Sequence, residues 1–125
     1  MLQGLRTIVY PVGNLAKAKT WYSEVLGQPP YFDEAFYVGY NYVGYNVGGY
    51  ELGLLPDAPA AGQAGPITYW GVPNAEAAYA RLLALGATAH EAVHDVGGGI
   101  WLGSVQDPFG NLLGVIQNPH FQLPQ

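Results

Sequence analysis

The sequence predicts an α+β chain made of two tandem βαβββ modules, and three observations carry that prediction. A short apolar strand ending in asparagine occurs twice, as Ile8-Val-Tyr-Pro-Val-Gly-Asn14 and as Thr68-Tyr-Trp-Gly-Val-Pro-Asn74, with Val12 over Val72 and Asn14 over Asn74. Each copy is followed by a run of helical periodicity that stops at a glycine. Each module then closes on a matching tail, Gly49-Tyr-Glu-Leu-Gly-Leu-Leu-Pro56 in the first and Gly110-Asn-Leu-Leu-Gly-Val-Ile116 in the second. At 125 residues the chain has the length of one domain. Residues 1–125 therefore read as a single unit whose modules span about 5–56 and 66–118, joined by an Ala/Gly/Pro-rich linker at 56–66.

Taken in order, Ile8, Tyr10 and Val12 alternate on the first strand, so period-two geometry sends them to one face and Thr7 and Val9 to the other. Asn14 is placed to cap the helix over Leu15–Leu26, whose apolar residues are Ala18, Trp21, Tyr22, Val25 and Leu26, and Gly27 suits a left-handed stop. Strand-like text follows at Tyr31-Phe32 and from Phe36 to Val47, then the tail strand. In the second module Thr68, Trp70 and Val72 alternate in the same way, opposite to Ile67 and Tyr69. Asn74 opens a helix over Ala75–Leu85 that ends at Gly86, with strands expected at Thr88–Val93 and Ile100–Val105. Asp107-Pro-Phe-Gly110 has the residue preferences of a type I turn leading into the last strand.

Composition removes several classes of function. Cysteine is absent, which excludes disulfides, thiolate metal sites and a cysteine nucleophile. Four Lys/Arg against nine Asp/Glu give a net charge of −5 with no basic cluster beyond Lys17 and Lys19, so nucleic acid is not an expected partner. No apolar run is long enough to span a bilayer, and Met1–Arg6 lacks the order of a signal peptide, which makes a cytoplasmic protein the expectation.

A shorter repeat lies inside the first module, where Tyr37-Val-Gly-Tyr-Asn41 is followed at once by Tyr42-Val-Gly-Tyr-Asn46. Five inserted residues reverse the facing of everything after them in a strand, so either a bulge absorbs the odd residue or the hairpin is lengthened past the sheet edge. The simpler reading is a duplication in a tolerant hairpin.

The helix-opening motif at 12–27, the Asp-Pro-Phe-Gly-Asn turn at 107–111 and the internal duplication together resemble the glyoxalase/bleomycin-resistance family of the vicinal oxygen chelate superfamily. The resemblance runs over about residues 5–119. It implies a curved mixed or antiparallel sheet forming an open cup with the helices outside. It also implies a choice among lyases, isomerases, dioxygenases, transferases and non-catalytic drug binders. Metal-dependent members carry a His or Gln seven residues before the helix-opening position and a Glu in the last strand of each module. The matching positions here are Thr7, Ile67, Gly53 and Gly114, none of which supplies such a ligand. Cups in this family are commonly completed by a second chain, so a homodimer is expected.

Of the three histidines, His90 and His94 stand beside Glu91 and Asp95, but the text leads into Val96-Gly-Gly-Gly-Ile100 and reads as a strand end and polar loop. His120 lies in what reads as a frayed tail. The Gly-rich run lacks the Lys and Ser/Thr of a phosphate loop and reads as a plain loop. Aromatic residues make up 14% of the chain. Ile8, Tyr10, Thr68 and Trp70 are expected to pack under the helices. The concave face is expected to hold Thr7, Val9 and Tyr69, joined by Asn41 and Trp101, with the phase of Trp101 and its counterpart Tyr40 open. Parity also sends Glu51 to that face, two places before Gly53. Glu51 is the one charge expected in the cup, an anchor for a cationic or hydrogen-bond-donating ligand.

These residues lead to a protein that binds a small organic ligand in an aromatic-lined cup without the family metal and with no cofactor. The alternative is a metal-dependent lyase, isomerase or dioxygenase with a displaced metal site. A third class is a partner domain whose cup is vestigial.

Overall fold

The computed structural model describes residues 3, 5–33, 41–56 and 67–121. The first module runs β1 (Thr7–Pro11), α1 (Leu15–Leu26), β2 (Phe32–Asp33), β3 (Val43–Val47) and β4 (Tyr50–Leu55). The second runs β5 (Thr68–Gly71), α2 (Ala75–Ala84), β6 (Thr88–Gly97), β7 (Ile100–Gln106) and β8 (Leu112–Gln117). The order of elements is the one expected from the sequence. The chain resolves into two units, Met1–Ala61 with Phe109–Asn111 and Gly62–Pro108 with Leu112–Gln125.

Each unit is a four-stranded sheet with one helix, an α+β arrangement, and both sheets are mixed. In the first the order is β1-β4-β3-β2, with β1 parallel to β4 and the other pairs antiparallel. The second repeats this as β5-β8-β7-β6 with β5 parallel to β8. The parallel pair follows from counting reversals. A helix and two strands lie between the first and last strand, so the chain has turned four times when it arrives beside its starting strand and runs the same way.

The asparagine caps hold both helices. Asn14 Oδ1 accepts from the Lys17 N–H at 3.0 Å and Asn74 Oδ1 from the Ala77 N–H at 2.9 Å. Gly27, at φ 66°, ends α1 in the left-handed region. At the start of α2 a further free donor, the Ala75 N–H, is met by Gln117 Oε1 at 2.9 Å.

In the first unit Leu15, Ala18 and Tyr22 of α1 are buried against the sheet. The predicted alternation holds, since Tyr10 and Val12 are buried while Val9 is 46% exposed. The Tyr22 ring lies 6.0 Å from Tyr10 and stacks at 6.5 Å on Phe109, and Trp21 meets Phe109 edge-on at 6.2 Å. Asn111 Nδ2 donates to the Pro11 carbonyl at 2.7 Å. Tyr45 of β3 is fully buried, and its hydroxyl reaches Ser23 Oγ at 2.8 Å and donates to the Lys19 carbonyl at 3.0 Å. Those bonds allow a phenol to sit in the core without an unmet polar atom. The second unit buries Ala75 and Leu82 of α2 with Val105, Leu113 and Val115.

Four sequence expectations shift. The stretch expected as one strand from Phe36 to Val47 is a strand only from Val43 among the described residues, and 36–40 lie outside them. The polar loop expected around His90 and His94 is instead part of β6, which continues to Gly97. The glycine run is a tight turn: Gly97 pairs with Ile100, leaving Gly98 and Gly99 at φ 65° and 79°. The β3–β4 hairpin uses the same device, with Gly48 and Gly49 at φ 59° and 93° between the paired Val47 and Tyr50. Two consecutive positive φ values match the right-handed twist of the flanking strands and favour glycine. The tail read as frayed forms a turn in which His120 Nε2 meets the Gly98 carbonyl at 2.7 Å. Among the described residues no helix is long and apolar enough to cross a membrane.

The second copy of the pentapeptide supplies the body of β3, paired with β4 from Val43↔Leu54 to Val47↔Tyr50 without a bulge. The first copy, except Asn41, lies outside the described residues. Because the copies are identical, removing either gives the same chain, one that keeps β3 and shortens the nine residues between Asp33 and Val43 to four. Loop-closure scaling then stabilises the shortened chain by ~0.7 kcal/mol. The expected outcome of deleting Tyr42–Asn46 is a soluble folded protein whose urea midpoint is at or above that of the parent.

Candidate functional site

Strand pairing in the first unit sets Thr7 opposite Glu51 and Val9 opposite Gly53, and these four lie on the face away from α1. Glycine at 53 leaves a space that the Tyr42 side chain fills. A Cβ built on Gly53 would meet Tyr42 Cζ at 2.6 Å and Cε2 at 2.9 Å, closer than real atoms approach. Gly44, paired with Gly53, lies beside the Glu51 carboxyl, and a Cβ built on it would make an ordinary contact, 3.4 Å from Glu51 Cδ.

Over these two glycines a carboxylate and two phenols come together. The Tyr42 hydroxyl donates to Glu51 Oε2 at 2.5 Å, and the Tyr31 hydroxyl donates to Glu51 Oε1. Tyr31 is held to β3 by its N–H, which donates to the Gly44 carbonyl at 3.0 Å, while its side chain stays in solvent at 65% exposure. The Phe32 and Tyr42 rings meet edge-on at 6.0 Å. Phenols donating to both oxygens is the pattern an ionised carboxylate accepts. Burial, reinforced by the hydrogen bond to Glu51 and by its charge, pushes the Tyr42 phenol well above its usual 10.0. Tyr31 is also raised, first by its hydrogen bond to Glu51.

The second unit repeats half of this arrangement. Tyr69 pairs with Gly114, and a Cβ on Gly114 would meet Tyr69 Cδ1 at 2.5 Å. Beside it Ser104, paired with Gly114 and fully buried, shares a hydrogen bond with His90 Nδ1 at 2.8 Å. His94 instead approaches Glu91 at 3.5 Å and the Ala92 carbonyl at 2.9 Å, so the two histidines have separate partners. No group of three His, Asp or Glu side chains able to hold a metal occurs among the described residues.

Of the residues singled out from the sequence, Thr7, Val9 and Glu51 share one face of the first sheet. Asn41 is exposed just before β3. Tyr69 belongs to the second unit. Trp101 has the β7 parity of Gly103 and buried Val105, opposite to that of Ser104, so it lies on the other face of that sheet from Tyr69. Sequence reading missed Tyr31 and Tyr42 as the partners of Glu51. The signal available was a strand glycine, Gly53, facing an aromatic-rich neighbouring strand, a pairing in which the ring covers the bare backbone.

The pH dependence follows with a definite sign. The folded Tyr42 phenol holds its proton above the usual 10.0, so the unfolded chain loses it first. The stabilisation is intact below pH 10.0 and is lost as pH rises through the folded value. Tyr42→Phe is expected to lessen alkaline destabilisation, measured by urea unfolding at rising pH. Glu51→Gln is expected to bring phenolate absorbance in at lower pH than in the parent.

Comparison with known proteins agrees with this architecture. The profile of the Glyoxalase/Bleomycin resistance protein/Dioxygenase superfamily matches residues 4–115. Curated protein sequences give no match. Among solved structures, a superfamily member from Sphaerobacter thermophilus DSM 20745 superposes with a TM-score of 0.74 at 19% identity, covering 94% of this chain and 99% of its own. A glyoxalase-related enzyme from Fulvimarina pelagi gives 0.73 at 21%, covering 98% and 94%. Lactoylglutathione lyase from Agrobacterium tumefaciens gives 0.70 at 19%, covering 98% and 100%. At these identities the likeness is one of fold, but the profile spans most of the chain. The chain belongs to the glyoxalase/bleomycin resistance/dioxygenase superfamily.

Proposed function

We propose that the protein binds a small organic cation on the open face of the first unit's sheet, without a metal at the family's position. One observation carries this reading: the Glu51 carboxylate, held by two phenols above Gly44 and Gly53 on a face shared with exposed Val9. Its partners there are neutral hydroxyls, so its charge stays available to a ligand. The exposed Tyr31 ring offers a face for stacking or cation–π contact. A protonated amine or guanidinium on an aromatic body matches both features. The chain's net charge of −5 favours approach of a cation.

Metal-free binding is supported by what stands at the family's ligand positions. Thr7 offers a hydroxyl and Ile67 a hydrocarbon, and the spaces at Gly53 and Gly114 are taken by the Tyr42 and Tyr69 rings. A divalent ion needs several converging N or O donors. We also propose that the protein works as a homodimer, the usual symmetric solution for a chain of this size.

The test is a thermal-shift screen of aromatic amines against their neutral isosteres, since a ligand of the folded state raises the melting temperature by mass action. The amines are expected to raise it and the neutral analogues not to. Glu51→Gln keeps shape and removes charge, and it is expected to weaken binding by about tenfold to a hundredfold, the worth of a charged hydrogen bond. Equal affinity of the variant, with unchanged pH dependence, would remove Glu51 as the anchor. Elemental analysis after metal-loaded purification addresses the other branch: stoichiometric Fe, Mn, Ni or Zn would point to a metal-dependent enzyme instead. For the dimer, light scattering at micromolar concentration is expected to give twice the mass of the 13.4 kDa chain.

A further inference from the structure

Given Glu51 as a cation anchor, the reading on which this rests, we infer that the Tyr31 side chain is a displaceable cover on its carboxylate, holding the place that an N–H-bearing cation takes when it binds. The two phenols on Glu51 are held in different ways. The Tyr42 ring fills the space over Gly53, meets Phe32 edge-on at 6.0 Å and donates to Oε2 at 2.5 Å. Moving it would uncover the bare strand beneath. Tyr31 donates to Oε1 and is 65% exposed, so its ring covers nothing that must stay dry.

The main chain under Tyr31 does not share that freedom. Its N–H donates to the Gly44 carbonyl at 3.0 Å, and the next residue, Phe32, pairs with Gly44 in the sheet. Ahead of it Pro29 and Pro30 each fix φ. The Gln28 N–H donates to the Ser23 carbonyl at 3.2 Å, and its side chain donates to the Asn46 carbonyl at 2.5 Å. A backbone tied on both sides leaves rotation about the side-chain bonds as the motion open to Tyr31. Such a rotation is fast for an exposed side chain, and the freed phenol meets water. What opposes release is the one bond to Glu51.

An ionised carboxylate only accepts hydrogen bonds, so whatever displaces the phenol must return a hydrogen to Oε1 or leave that oxygen short of a partner. Ammonium and amidinium groups carry such hydrogens and add the positive charge that a phenol lacks. A quaternary ammonium has no hydrogen to return. Its route is to rest on the Tyr31 ring with the cover closed. With the site empty, the cover keeps Oε1 hydrogen-bonded; with an N–H-bearing cation in place, it stands aside. The apparent affinity for such a cation is therefore reduced by the fraction of molecules in which the cover is closed.

The experiment compares benzylammonium with benzyltrimethylammonium in calorimetric titrations of the full chain and of Tyr31→Phe, which keeps the ring and removes the hydroxyl. Tyr31→Phe is expected to bind benzylammonium about threefold to tenfold more tightly than the parent, the worth of the lost hydrogen bond, and benzyltrimethylammonium within about twofold of it. In a Glu51→Gln background the gain is expected to vanish. A second measurement needs no ligand: carbodiimide-driven coupling of glycinamide to Glu51, read by peptide mass spectrometry, is expected to run faster in Tyr31→Phe because Oε1 is uncovered. Unchanged or weaker benzylammonium binding by Tyr31→Phe, with Glu51→Gln still abolishing it, would overturn the cover and leave the anchor standing. Equal tightening of both cations would also overturn the cover, since no displaced hydrogen bond would be needed. Absence of benzylammonium binding in both the parent and Tyr31→Phe would overturn the anchor, and the cover with it. Equal coupling rates at Glu51 in the two proteins would overturn the cover whatever the titrations give.

Discussion

The faces of both sheets that point away from the helices depend on a missing atom. Gly53 and Gly114 stand in the middle of the last strand of each module, and in both a tyrosine ring occupies the volume a Cβ would need. A larger residue at 53 would expel Tyr42, leaving Glu51 without one of its two phenols. The positions at which the superfamily's metal enzymes would carry carboxylates are thus where this chain packs rings.

The opposite face of the first sheet is governed by different physics. Tyr10, Tyr22 and Phe109 form a continuous aromatic contact between strand, helix and turn, where large rings bury more surface per residue than aliphatic side chains. Tyr45 is buried with its hydroxyl satisfied by Ser23 and the Lys19 carbonyl. With only 10% charged residues, specificity inside the sheet rests on shape and on such placed hydroxyls more than on ion pairs.

Much of this was legible from local chemistry. Asn14, Asn74 and Gly27 announce helix ends because capping needs only the few residues around it. The alternation of Ile8, Tyr10 and Val12 gave the buried face for the same reason. The parallel pairing of β1 with β4 and the length of β6 were less visible, since they depend on where the chain goes between elements. The carboxylate was located by parity, while its partners were not. Tyr31 reaches Glu51 from before a two-residue strand and Tyr42 from just ahead of β3, positions without a periodicity to follow. Trp101 shows the limit of counting: aligned as an equivalent of Tyr40, it falls on the face of β7 that Val105 buries.

The turn that leads into β8 has a consequence for how the protein is made. Phe109 and Asn111 belong to the first unit, where they cover Trp21 and Tyr22 and hold the Pro11 carbonyl, although they are separated from those residues by most of the chain. During translation the aromatic surface of α1 is synthesised long before the ring that covers it. At about 5–20 residues per second the wait is roughly 4–17 s. Through that interval the nascent first module carries an uncovered apolar stripe, the kind of surface that chaperones bind and that promotes association between nascent chains.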